Sequence, residues 1–171
     1  MLAVRDLMTD DLVTAAPGYT LRDAAEAMAD AHVSGLPVVE NGMAVGVISA
    51  TDILAFAAAA SGSPTGPARQ GGGAEIPSGY YTEDWPERSR GQQLLEETDR
   101  PEWSALEEHS VEEYMTRALI TLAPDATVQE AAGTMLGSGV RRLLVVDVDR
   151  LVGLVSTTDV LEAVAEHGIT V

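Results

Sequence analysis

Two short runs, Ser49-Ala50-Thr51-Asp52 and Ser156-Thr157-Thr158-Asp159, carry the residues best suited to chemistry. Each aspartate stands where an apolar, strand-like run passes into an alanine- and valine-rich helical one. A carboxylate there can accept two hydrogen bonds from a vicinal diol, which is how ribose is recognised in nucleotide folds. It can equally cap the N–H groups of the first helical turn, where the helix dipole favours negative charge. Spacing alone favours the cap. Ser49, Thr51, Ser156, Thr157 and Thr158 add hydroxyls that fit an anion site at a helix start or plain helix capping. Arg141-Arg142 is the only adjacent basic pair in the chain. Paired guanidinium groups grip phosphate bidentately, or else counter neighbouring acids. Other chemistry finds little support. His32, His109 and His167 lack zinc-ligand spacing. There is no cysteine, hence no thiolate site or cysteine nucleophile. Gly71-Gly72-Gly73 has no following lysine and is read as linker. No nucleophile–base pair can be drawn, so a catalyst is not expected.

The elements that must position these residues occur twice. Residues 4–58 align without a gap on 111–165 at a constant offset of 107. Met8-Thr9 returns as Met115-Thr116, Pro17 and Thr20 as Pro124 and Thr127, and Ala24, Ala25 and Met28 as Ala131, Ala132 and Met135. Val38-Val39 returns as Val145-Val146, and Gly46, Ser49, Thr51 and Asp52 as Gly153, Ser156, Thr158 and Asp159. Two units that share a fold and pack as a pseudo-symmetric pair are expected. Thr20 with Asp23, and Thr127 with Glu130, read as capping boxes opening a helix. Apolar positions Leu21, Ala24, Ala25 and Met28, and Val128, Ala131, Ala132 and Met135, form one helical face. Gly139 and its counterpart His32 suit a left-handed stop. Apolar runs follow at 36–39 and 45–48 around Asn41-Gly42, a strong hairpin signal, and at 143–146 and 151–155 in the second copy. A final helix begins near Asp52 or Asp159. The corresponding position to Arg141-Arg142 is Ser34-Gly35, so the two copies should not hold phosphate equally well and one better site is expected.

Residues 1–60 and 111–171 are thus read as repeats around an unrepeated insert at 61–110. The insert starts Gly/Pro/Ser-rich, as a linker does, then turns acidic and holds Trp85, Trp103, Tyr80 and Tyr81. Aromatics in a solvated segment point to docking; a disordered acidic loop is the alternative.

Composition narrows the function class. The 171 residues carry 27 acids against 10 basic residues, all arginine, for a net charge of -17. Such a surface repels nucleic-acid phosphates and anionic membranes. The bias matches a salt-adapted proteome, where salt screens self-repulsion, or a GC-rich genome. Residues 43–60 are apolar, but Asp52 in their midst argues for strand then helix over a membrane span. An acid arrives at Asp6 before any apolar run, so no export signal is expected, and the absence of cysteine fits a reducing interior. A cytoplasmic protein is expected.

The recurring motifs resemble the CBS domain, usually found in tandem as a Bateman module. They are Met8-Thr9, Pro17-x-x-Thr20, Ala24-Ala25-x-x-Met28, Leu36-Pro37-Val38-Val39 and Gly46–Leu54, then Met115-Thr116, Pro124-x-x-Thr127, Ala131-Ala132-x-x-Met135, Leu143–Asp147 and Gly153–Leu161. The resemblance implies an α/β (α+β) fold of two β-α-β-β-α units packed through their sheets, without room here for an attached catalytic domain. It implies a stand-alone regulatory module that binds AMP, ADP, ATP or S-adenosylmethionine between the repeats, signals by conformational change, and associates as a homodimer with no other cofactor. It assigns ribose contacts to Asp52 and Asp159 and phosphate to Arg141 and Arg142. Val13, Thr14, Ile120, Thr121, Val33, Leu36, Pro37, Val140 and Leu143 are the adenine-lining candidates, each equally suited to plain core. A ligand-free dimerisation or interaction scaffold, with the insert docking a partner, is the other reading.

Overall fold

The duplicated capping boxes fix where the helices start. Thr20 Oγ1 accepts the Asp23 N–H at 3.0 Å while Asp23 accepts the Thr20 N–H at 2.9 Å, opening helix α1 (Leu21–Ala31). The computed structural model describes residues 2–60, 79–82 and 102–168. After a 3-10 turn at Val4–Asp6 and α1 come strands β1 (Gly35–Glu40) and β2 (Met43–Ser49) and helix α2 (Ala50–Ala60). Among the described residues the insert contributes two short helices, α3 (Gly79–Thr82) and α4 (Glu102–Glu107). The second repeat adds α5 (Val111–Tyr114), β3 (Thr121–Leu122), α6 (Val128–Ser138), β4 (Arg142–Asp147), β5 (Arg150–Ser156) and α7 (Thr157–His167). The apolar stretch at 43–60 is indeed strand then helix, and among the described residues no helix is long and apolar enough to cross a membrane.

Thr127 and Glu130 cap α6 as Thr20 and Asp23 cap α1. His32 (φ 55°) and Gly139 (φ 66°) both close their helices in the left-handed region. Asn41 and Gly42 turn the first hairpin with φ of 54° and 81°, as a two-residue turn with both central residues left-handed requires. The second hairpin imposes the same geometry on Val148 (φ 45°) and Asp149 (φ 69°). Each hairpin has its register shift at the same place, Val38/Val39 and Val145/Val146.

The strands form a mixed five-stranded sheet in the order β1-β2-β5-β4-β3, the two hairpins meeting at Met43↔Arg150. The opening strand of the β-α-β-β-α unit is β3 in the second repeat. In the first it contracts to the single parallel bridge Ala15↔Val38, the counterpart of Leu122↔Val145.

Reciprocal exchange locks the repeats together. Thr9 trades two backbone hydrogen bonds with Leu154, at 2.8 and 2.9 Å, and Thr116 trades two with Val47, at 2.9 and 2.8 Å. Val4 donates to the Ala126 carbonyl and Val111 to the Tyr19 carbonyl in the same mirrored way. Gly46 and Gly153 permit this approach. A Cβ on Gly46 would lie 2.9 Å from the Thr116 carbonyl oxygen, and one on Gly153 would lie 3.0 Å from that of Thr9. Leu21, Ala24, Ala25 and Met28 bury against Leu36, Val38 and Ile48. Ala131 and Met135 do so against Leu143, Leu144, Val145 and Val155. Burying a side chain of this size contributes roughly 1.5–3 kcal/mol.

Candidate functional site

Each repeat builds its strand-to-helix turn identically. The Ser34 carbonyl accepts the Ala50 N–H at 2.8 Å, and the Arg141 carbonyl accepts the Thr157 N–H at 2.9 Å. The residue ahead of each hairpin is thereby tied to the first turn of the following helix. This puts the arginine pair beside the Asp159 helix start.

The two helices begin at Ala50 and Thr157, slightly ahead of the expected starts. Asp52 and Asp159 are therefore third-position capping residues. Asp52 Oδ2 accepts the Ser49 N–H at 2.9 Å, and Ser49 Oγ accepts the Asp52 N–H at 3.2 Å. Asp159 Oδ2 accepts the Ser156 N–H at 2.6 Å and the Ser156 hydroxyl at 2.8 Å. The capping alternative is realised in both copies. It does not use up the carboxylate, which has about four lone-pair sites. Asp159 Oδ1 makes no hydrogen bond among the described residues, so a ligand hydroxyl has an acceptor there. Both aspartates are half-buried.

The remaining candidates divide by exposure. Thr51, Thr158, Thr121 and Arg141 are exposed, Ser49 is fully buried, and Ser156, Thr157, Thr14, Ile120 and Val33 are half-buried. Val13 is exposed. Leu36 and Leu143 belong to the two hydrophobic cores, with Pro37 and Val140 also buried.

Tyr80 and Tyr81, on α3 of the insert, bring several of these residues together. They are 0% and 1% exposed, with rings edge to face at 5.2 Å. The Tyr81 carbonyl accepts the Arg141 N–H at 2.7 Å, and its phenol oxygen accepts the Ile120 N–H at 3.3 Å. The Tyr80 carbonyl accepts from the Arg142 guanidinium, which also lies 5.7 Å from the Tyr80 ring centre, within cation–π range. On its other side the Tyr80 ring packs on Gly35, where a Cβ would come within 2.6 Å of it. Gly35 and Arg142 are equivalent positions of the two repeats, so Tyr80 touches both repeats. Burial keeps both phenols protonated, pushing Tyr81 up to about 12 and Tyr80 further. The sequence left this segment as either a docking element or a disordered acidic loop, and named no surface for it to dock on. Trp85 and the side chain of Trp103 lie outside the described residues.

Farther along the insert, Leu106 of α4 is buried against the first repeat. Arg22 of α1 pairs with both Glu26 and Glu107. Phe56 of α2 meets His109 and Tyr114 edge to face, each at 4.8 Å. No group of histidine and carboxylate side chains able to hold a metal occurs among the described residues.

The model of the CBS domain matches residues 4–59 and 111–166. The CBS domain-containing protein YhcV of Bacillus subtilis is 26% identical over 93% of this chain and 83% of its own. Two longer relatives from Methanocaldococcus jannaschii are spanned over only 40% and 41% of their lengths. Among solved structures, CBSX2 in complex with AMP superposes with a TM-score of 0.64 at 24% identity, covering 97% of this chain and 98% of that one. The CBS domain pair of MJ0100, with 5'-methylthioadenosine and S-adenosyl-L-methionine, gives 0.60 at 21% identity over 97% and 98%. Both matched segments coincide with the structural repeats and their mirrored hydrogen bonds, and the chain belongs to the CBS-domain family as a tandem pair.

Proposed function

We propose that the protein is a regulatory module that senses an adenosyl nucleotide (AMP, ADP, ATP or S-adenosylmethionine) bound in the crevice between its repeats. The observation that supports this is the set of groups gathered on the second repeat. The Ile120 and Arg141 N–H groups bond there outside the strand ladders, as the edge of a base would require. Beside them stand the Arg142 guanidinium and the Asp159 carboxylate with its unengaged Oδ1. Donors for a base, a cation for phosphate and an acceptor for a sugar hydroxyl form a nucleotide's complement. The ligands held by CBSX2 and MJ0100 support the class. On the first repeat, Val13, Thr14, Pro37, Ser49, Thr51 and Asp52 form the weaker counterpart, because Ser34-Gly35 supplies no charge.

Binding signals by favouring one relative packing of the repeats, which requires that the ligand prefer that state. The module is regulatory, not catalytic, and works in the cytoplasm as a homodimer. Leu136 on α6 and Leu161 on α7 are 85% and 67% exposed, whereas α4 packs on the equivalent helices α1 and α2 of the first repeat. A second copy laid on α6 and α7 would bury those leucines.

The alternative, a ligand-free scaffold, draws on one observation: Tyr81 already accepts both donors. Thermal melts at high salt with AMP, ADP, ATP and S-adenosylmethionine separate the two. A ligand at 100-fold its Kd adds about 2.7 kcal/mol of stability. A shift with at least one ligand is expected; flat melts with all four would leave the scaffold standing.

A further inference from the structure

We infer that Tyr80-Tyr81 is a built-in competitor for the second-repeat crevice, so that nucleotide enters only by displacing the insert. This rests on the nucleotide reading above and adds its regulation.

Three features separate an occupant from ordinary packing. First, Tyr81 satisfies two backbone donors from separate segments, using its phenol oxygen for Ile120 and its main-chain carbonyl for Arg141. One residue thus supplies an acceptor to each of the two donors that the edge of a base would engage. Second, Tyr80 engages Arg142 through both carbonyl and ring face, taking the cation that a phosphate would need. Third, the polar contacts are one-sided. Among the described residues no hydrogen bond reaches the N–H of Val13 or Ser34, the counterparts of Ile120 and Arg141, although the Tyr80 ring also packs on Gly35 of the first repeat. The copy with the arginine pair is the copy whose polar groups the insert engages.

The consequence is quantitative. When a site is open only a fraction of the time, its apparent Kd rises by the inverse of that fraction. A tethered occupant also acts at high effective concentration without leaving the molecule. A nucleotide must therefore exceed a threshold set by the insert. Crossing it frees the Tyr80-Tyr81 segment.

The experiment is an AMP titration of the full chain, followed by NMR at the Ile120 and Arg141 amides, which report on this crevice and not its counterpart. Tyr81→Ala is expected to tighten AMP at these amides by about tenfold or more. Tyr81→Phe, which keeps the packing and removes only the phenol acceptor, should tighten it by a smaller factor and guards against misfolding of the alanine variant. In the wild type, saturating AMP should speed chymotrypsin cleavage after Tyr80 and Tyr81. Weaker or unchanged binding in both variants, or slower cleavage with AMP, would show tyrosine and nucleotide bound together and overturn the competition alone. No AMP response in the wild type or either variant, with flat melts for the other three ligands, would overturn the nucleotide reading and the competition with it.

Discussion

At the scale of single residues, Asp159 has an observed role and a proposed one that one substitution can separate. Its Oδ2 caps α7 through Ser156. Its Oδ1 is the acceptor assigned to a ligand hydroxyl. Asparagine keeps one amide oxygen for the cap and replaces the second acceptor with a donor. Asp159→Asn should thus retain most of the folding stability while weakening AMP by more than tenfold. Asp159→Ala should lose both, with about 1 kcal/mol of stability gone with the cap. Urea denaturation and AMP titration of the two variants check this. Unchanged AMP affinity in Asp159→Asn would reduce the residue to a helix cap. The capping role was legible in the sequence: Ser49-x-x-Asp52 and Ser156-x-x-Asp159 repeat the pattern that marks Thr20-x-x-Asp23 and Thr127-x-x-Glu130 as helix starts. The partners of Tyr80 and Tyr81 were not legible, because an aromatic pair in an acidic segment shows that apolar area needs covering without saying which surface covers it.

At the scale of elements, pseudo-symmetry makes each repeat a control for the other, and the hairpins differ most. Asn41-Gly42 suits a turn with two left-handed residues; Val148-Asp149 carries a β-branched side chain through the same geometry. Left-handed backbone costs an ordinary residue roughly 1–2 kcal/mol, and Val148 is 88% exposed, so no packing offsets the strain. Grafting the first turn onto the second, Val148→Asn with Asp149→Gly, should raise stability by about 1–2 kcal/mol. In urea this appears as a higher midpoint at constant slope. An unchanged midpoint would mean that the second hairpin relaxes its turn in solution. Most of the elements were readable from such local signals, since caps, turn residues and periodicity act over a few positions. The join between hairpins at Met43↔Arg150 and the swapped pairings Thr9↔Leu154 and Thr116↔Val47 were not. They depend on backbone meeting backbone, where side-chain type leaves only the indirect trace of Gly46 and Gly153.

At the scale of the whole molecule, charge dominates. The chain carries a net charge of -17, and the pairs of Arg22 with Glu26 and Glu107, and of His109 with Glu113, are exposed. Exposed pairs of this kind contribute little, so the net electrostatic term opposes compaction. Salt shortens the Debye length from about 10 Å at 0.1 M to about 3 Å at 1 M, removing repulsion between carboxylates across the surface before it weakens the close pairs. The melting temperature should therefore climb from low salt to 1 M, steeply at first and then more gently. For a chain of this size each 1 kcal/mol gained corresponds to about 2–4 °C. Sodium and potassium chloride should act alike, since screening depends on ionic strength and not on the identity of the cation. A melting temperature that falls with salt would mean that the surface pairs outweigh the repulsion. A rise confined to one cation, saturating at low concentration, would replace screening with a specific cation site. The same screening bears on the proposed site: a nucleotide phosphate approaching a chain of this net charge would be repelled at long range, with Arg141 and Arg142 the cations proposed to attract it. AMP should therefore bind faster as salt rises from low levels, opposite to the usual behaviour of phosphate-binding proteins.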